Sequence, residues 1–227
     1  MLWELTLKTN LLACIPMMTP TLAKELTGGL SKPSKMPGFA YSIPAQACGV
    51  GSRLRTVQGS ICSKCYALKG RYVFSNVKNA LYRRLASLVN QEWVEAMAFQ
   101  INHASVNVFR WHDAGDLQSL EHLEKIAAVC EATPDVRHWL PTREYAIVTE
   151  YKEKHGAFPA NLNIRLSAYM MDGPLPTGAA ERLGVTVSGV TSDPSKVTCP
   201  AYKQGGVCGS CRACWDKNQD VVMYPKH

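Results

Sequence analysis

The most specific pattern in the chain is Cys208-Gly-Ser-Cys211-Arg-Ala-Cys214, three cysteines at successive three-residue intervals, preceded by Cys199-Pro200. A C-x₂-C-x₂-C run can wrap one face of an iron-sulfur cubane, and a more distant Cys-Pro closes such a site. Here the Cys-Pro comes first. Zinc usually takes two separated C-x₂-C pairs around a tetrahedron, so the triple run favours a [4Fe-4S] cluster, with zinc as the alternative and unligated thiols as the remaining reading. A second group comprises Cys48, Cys62 and Cys65, the last two forming a C-x₂-C pair. Three ligands without a fourth leave one iron open, as in radical S-adenosylmethionine enzymes. In those enzymes the three cysteines lie close together, whereas thirteen residues separate Cys48 from Cys62. The two groups could equally pool their ligands. Cys14 and Cys130, flanked by apolar residues, read as small buried hydrophobes.

Oxygen and nitrogen chemistry concentrates in Phe109-Arg110-Trp111-His112-Asp113-Ala114-Gly115-Asp116. A strand ends there and presents His112, Asp113 and Asp116 in a turn that Gly115 permits, which is where βα proteins place catalytic groups. Two later strands end near Arg143-Glu144 and Arg165. Asp113, Asp116, Glu144 and His112 are the candidate catalytic residues, and Arg110, Arg143 and Arg165 the candidate binders of an anionic or saccharide substrate. Two carboxylates on facing strand ends are the minimum equipment of a glycoside hydrolase. The competing structural reading has Asp113 and Asp116 capping the next helix and pairing with Arg110 or Arg143.

The elements that must position these groups alternate. Val77, Leu81, Leu85 and Leu88, continuing to Trp93, Met97 and Ile101, recur at helical spacing behind a Ser75 cap, with a break near Asn90. Strand patterns at 106–111, 137–140, 162–168 and 185–190 alternate with helices at 117–132 and 144–154, which implies parallel βα units. The expected fold is α/β, a TIM-like (β/α) barrel, closed or nearly closed. Residues 1–60 read as an irregular lead-in and 199–227 as a cysteine-rich metal-binding tail on the same single domain.

The 227 residues are 46% hydrophobic and 19% charged, an ordinary globular composition. The first sixteen residues have neither the pattern of a signal peptide nor the length of a membrane span, so no membrane association is expected. Nine cysteines without an export signal point to metal rather than to disulfides. The net charge of +7 is uneven. From Leu26 to Gln91 there is no acid and there are ten Lys or Arg, so the remainder carries −3. Such a stretch suits a nucleic acid, a phosphorylated ligand or a thiolate-bound cluster, and equally a solvated face. The oligomeric state is left open.

Leu26-Thr-Gly-Gly-Leu-Ser-Lys, Ile43-Pro-Ala45, the Cys-Tyr-Ala at 65–67, the His-Asp-x-Gly-Asp at 112–116 and the closing cysteine run together resemble the bacteriophage gene product 88 family. The resemblance implies a phage-encoded protein acting in the host cytoplasm, with a barrel akin to other metal-bearing phage proteins that share the Cys-Tyr-Ala element. From the residues themselves the leading expectation is an iron-sulfur βα-barrel hydrolase acting on a glycosidic bond. The alternatives are a radical-type redox enzyme and a metal-stabilised nucleic-acid or host-factor binder.

Overall fold

The computed structural model describes residues 17–226. Cys14 lies outside them. Within the stretch expected to be irregular, Thr19 accepts a hydrogen bond from the Leu22 amide and opens helix α1 (Pro20–Thr27), which Gly28 ends in the left-handed conformation. Strand β1 (Phe39–Tyr41) follows. The long helical pattern breaks where expected, into α3 (Ser75–Ser87) and α4 (Trp93–His103), after a short α2 (Gly49–Leu54). Ser75 proves to be the first residue of α3 rather than its cap; Phe74 occupies the cap position without a side-chain bond. Strands β2 (Val108–Trp111), β3 (Arg137–Thr142), β4 (Leu162–Ser167) and β5 (Thr186–Thr191) alternate with α5 (Leu120–Glu131), α6 (Tyr145–His155) and α7 (Thr177–Leu183), and β6 (Val221–Pro225) completes the sheet.

All neighbouring strands are parallel and the order is sequential, β1 to β6. The sheet is open: among the strands β1 pairs only with β2 and β6 only with β5, so the expected α/β class with parallel strands is found, but not a closed ring. Strand β6 is an addition to the expected set; its sequence, Val-Val-Met-Tyr-Pro, is short and follows a polar stretch.

The two faces of the sheet differ in kind. Phe109 and Trp111 of β2, Leu140 of β3, Leu162, Ile164 and Leu166 of β4 and Val187 of β5 pack with Trp93, Met97, Ile126, Val148 and Leu183 of the helices. The alternate positions of β4, namely Asn163, Arg165 and Ser167, are buried on the opposite face. Parallel sheets covered on both sides usually read as unbroken apolar runs. Here the second face is polar and is covered by the C-terminal segment, whose Trp215 joins Val108 and Trp139 in a small apolar cluster.

Three histidines, His112, His122 and His138, are buried. Burial depresses the pKa of all three, His122 and His138 to about 3 and His112 well below its ordinary value. A folded-state pKa below the unfolded value means that the unfolded chain binds the extra protons. Their contribution to stability is therefore complete above about pH 6.5 and is lost as the pH falls towards 3. Urea unfolding at pH 5 should show a loss of about 2 kcal/mol per histidine relative to pH 7, and a His138→Gln variant should lose less. Equal stability at both pH values would contradict this.

Candidate functional site

The carboxyl ends of β1 to β4 are crossed by the loop that bears the first cysteine group. Beyond β1, Cys48 leads into α2, and the chain then runs back through Ser60 to the short 3-10 turn Ile61–Lys64, which carries Cys62 and ends at Cys65. Three strand ends hold this loop. The Tyr66 hydroxyl donates to the Asp113 carbonyl, and Tyr72 donates to Asp113 Oδ2 at 3.0 Å, both at the end of β2. The Val50 amide, at the start of α2, donates to Glu144 Oε1 at 2.7 Å, beyond β3. Ser60 bridges Met170 beyond β4, with Ile61 N–H to the Tyr169 carbonyl at 2.9 Å and Met171 N–H to the Gly59 carbonyl at 3.0 Å.

This return path removes the sequence separation of Cys48 and Cys62. Each sulfur lies 3.6 Å from the point where a Cβ on Gly51 would sit, so the two are within about 7 Å of each other. A Cβ on Gly51 would also stand 3.0 Å from the Cβ of Cys48, a tight contact that a larger side chain here would worsen. The three thiols sense one another. Burial pushes Cys48 up to about 12, with Asp116, Cys65 and Cys62 adding to the shift and Arg55 opposing it. Cys62 is also raised by burial, opposed chiefly by Arg143.

Of the three carboxylates at the strand ends, those of Asp116 and Glu144 accept from backbone amides, whereas that of Asp113 accepts only from Tyr72 and keeps a buried Oδ1 without a partner among the described residues. Asp116 Oδ1 accepts from the Leu117 amide at 2.8 Å and from Thr142 Oγ1 at 2.6 Å, while Oδ2 accepts from the Arg143 amide at 2.9 Å. Asp116 therefore ties the end of β2 to that of β3, and the cap of α5 is Ser119. Burial lifts Asp116 to about 6 against these hydrogen bonds. The Thr142 hydroxyl accepts in turn from the Glu144 amide at 3.0 Å, which places Glu144 under α2. Arg143 donates from Nε to the Ala168 carbonyl at 3.1 Å rather than to an acid. His112, at a positive φ of 59°, packs its ring against His122 at 5.2 Å between centroids, within the sheet–helix layer, and both its ring nitrogens lack a partner among the described residues.

The second cysteine group sits on the polar face of the sheet. Cys199, Cys208, Cys211 and Cys214 line one small cavity with Trp215. The segment is tied to several strands. Trp215 Nε1 donates to the Phe109 carbonyl of β2 at 2.8 Å, Asn163 Nδ2 of β4 donates to the Cys214 carbonyl at 2.9 Å, and Cys214 Sγ lies 3.1 Å from the Tyr224 hydroxyl of β6. Cys199 N–H reaches the Met223 carbonyl, and Cys208 N–H the Lys35 carbonyl ahead of β1. Arg165 is fully buried and donates to the Val187 carbonyl at 2.7 Å and the Gln219 carbonyl at 2.9 Å. Arg110 stacks on Trp139 at 4.4 Å. No carboxylate among the described residues forms an ion pair with either guanidinium. Burial pushes Cys214 up to about 11, opposed by the Tyr224 hydroxyl and by Arg165 and Arg110. Cys199 and Cys208 are likewise raised by burial.

The model of the family described as Gene product 88 matches residues 17–217. The chain belongs to that phage family. No curated protein and no solved structure matches it. In this Gene product 88 chain the two cysteine groups stay apart: the first lies over the strand ends and the second on the inner face. Among the described residues no three His, Cys, Asp or Glu side chains converge closely enough to hold a single metal ion.

Several site residues were not visible in the sequence. Gly51, Arg55, Asn163 and Tyr224 carry no motif, although the Gly49-Val-Gly51 that follows Cys48 is a local sign of close approach. Arg165, expected to bind substrate, holds peptide carbonyls instead. Replacing it in Arg165→Met leaves those buried carbonyls unsatisfied and should lower the unfolding free energy by about 2–4 kcal/mol in urea. Unchanged stability would mean that the C-terminal segment is held by other contacts.

Proposed function

We propose that this chain is an iron-sulfur enzyme of the radical S-adenosylmethionine type. Cys48, Cys62 and Cys65 would hold a four-iron cluster with one iron free of protein ligands, and Cys199, Cys208, Cys211 and Cys214 would hold a second, fully cysteine-ligated cluster. The observation that carries the reading is the folding back of residues 49–61, which gathers the sulfurs of Cys48 and Cys62 within about 7 Å at the carboxyl ends of the strands. Ligand sites of parallel βα sheets lie at that edge. A cluster with one open iron supplies reductive cleavage of S-adenosylmethionine.

The donor chemistry fits such a group. No disulfide forms among the described cysteines, and burial holds most of these thiols protonated until a metal displaces the proton. The triple C-x₂-C-x₂-C run of the second group suits a polynuclear cluster better than a tetrahedral zinc ion. Arg55 and Arg143 beside the first group, and Arg110 and Arg165 beside the second, offset the negative charge of thiolate-ligated clusters. Glu144, occupied by the Val50 amide, fixes the entry to α2 and so the direction of Cys48. Asp116 fixes the ends of β2 and β3 beneath the cysteine loop.

The glycosidic reading asks for an acid and a carboxylate flanking an open cleft. Asp116 and Glu144 are buried and accept from backbone amides, so the redox reading accounts for more of the site. The sequentially ordered parallel sheet, whose inner face is filled by the C-terminal segment, is consistent with an incomplete βα barrel.

Anaerobically prepared protein, reduced in the presence of S-adenosylmethionine, should release 5′-deoxyadenosine. The variants Cys62→Ala and Gly51→Val should abolish this release, the second by placing a branched side chain between two sulfurs, with the circular dichroism spectrum preserved. Wild-type protein replete in iron and sulfide that neither binds nor cleaves S-adenosylmethionine would overturn the assignment.

A further inference from the structure

We propose that residues 62–83 form a docking surface for single-stranded nucleic acid beside the first cysteine group. The naming of a polynucleotide as the substrate class rests on the function proposed above, whereas the binding surface does not.

The surface begins at the cysteines. From Cys62 the chain runs through three short 3-10 turns into α3, exposing Lys64, Lys69 and Arg71 on the way. Helix α3 then shows Lys78 and Tyr82 one turn apart on one face, with Phe74 at its cap position, and all three are exposed. Phe74 is 59% exposed and Tyr82 42%. In the chain Lys78 falls midway between the two aromatic residues. Leu81 and Val77, on the flank of α3 next to this stripe, pack against a cluster that includes Cys48 and Cys65, so the exposed stripe and the thiols are held by one element.

A merely solvated face looks different. Such faces carry both signs of charge, often as pairs one turn apart. Here no acid occurs from 26 to 91, and none of the ion pairs among the described residues falls in that stretch. Large exposed rings interleaved with cations that have no acid nearby in the chain suit a partner with regularly spaced negative charge and flat apolar faces. A single-stranded polynucleotide has both, since its phosphates meet the cations and its unstacked bases meet Phe74 and Tyr82. A duplex hides its base faces, and an acidic protein offers charge without a stacking surface.

The test is fluorescence anisotropy with a labelled single strand of roughly twelve nucleotides, as DNA and as RNA, against duplex DNA and poly-glutamate. We expect binding to single strands that weakens at least tenfold between 50 and 200 mM salt, the range over which several phosphate contacts are screened. The double variant Phe74→Ala/Tyr82→Ala should weaken binding by about tenfold or more, while Lys78→Glu should lower the salt dependence. Thermal unfolding and iron content, measured on the same samples, should match wild type because the three side chains are exposed. Failure of the metal reading would appear as absent iron with binding intact. Binding to poly-glutamate as tight as to single strands would overturn the proposal in favour of an acidic protein partner, and so would no binding at 50 mM salt. A double variant that binds like wild type would remove the role of the rings.

Discussion

Arg110 and Arg165 lie on the polar face of the sheet, next to Cys214, without an ion-pairing carboxylate among the described residues. Each keeps a buried Nε with no hydrogen-bond partner among those residues. Removing a guanidinium from water is costly unless an anion or several acceptors replace the solvent. Arg165 is partly satisfied by peptide carbonyls, while Arg110 lies over the Trp139 ring with Tyr66 and Asp113 near enough to hold its pKa up against burial. Cys214 acts on both guanidiniums from the C-terminal segment, alongside Asp113 at Arg110 and Asp216 and Asp220 at Arg165. Burial raises the pKa of Cys199, Cys208 and Cys214, and the metal ligation proposed above would be the route by which their thiolates form near neutral pH. The polar inner face, the cysteine-rich segment that covers it and the metal chemistry proposed for it are therefore one constraint seen from three sides.

The same logic organises the strand ends. Hydrogen bonds from residues of the cysteine loop reach the ends of β2, β3 and β4, so its position is set by the sheet rather than by a helix of its own. Asp116, Thr142 and Glu144 form a chain of acceptors and donors that links two strand ends to the start of α2. Carboxylates at the strand ends of βα proteins commonly serve catalysis. In this chain Asp116 and Glu144 accept from amides and a hydroxyl and so fix the backbone that carries Cys48, while Asp113 Oδ1 is buried without a partner among the described residues.

Much of this was legible in the residue pattern. The parallel βα alternation, the break between α3 and α4 and the burial of Cys130 follow from periodicity and flanking apolar residues. The presence of two separate cysteine groups was visible, but their separation in space was not, because the path of residues 49–61 depends on long-range bonds to Glu144 and Met170. Strand β6 and helix α7 are short and weakly patterned, and the three-residue β1 is hidden in a Gly- and Pro-rich stretch. The role of Arg165 is hidden for a similar reason. Position at the end of a strand pattern suggests substrate, while its side chain points to the peptide groups of a segment some fifty residues later.

The most direct test of the central claim is chemical analysis of protein purified without oxygen, with iron, acid-labile sulfide and zinc determined per chain. Two thiolate-bound cubanes predict about eight irons and eight sulfides per chain, and a visible absorption band that bleaches on reduction. Stoichiometric zinc without sulfide, or a folded protein that binds no metal, would contradict the account.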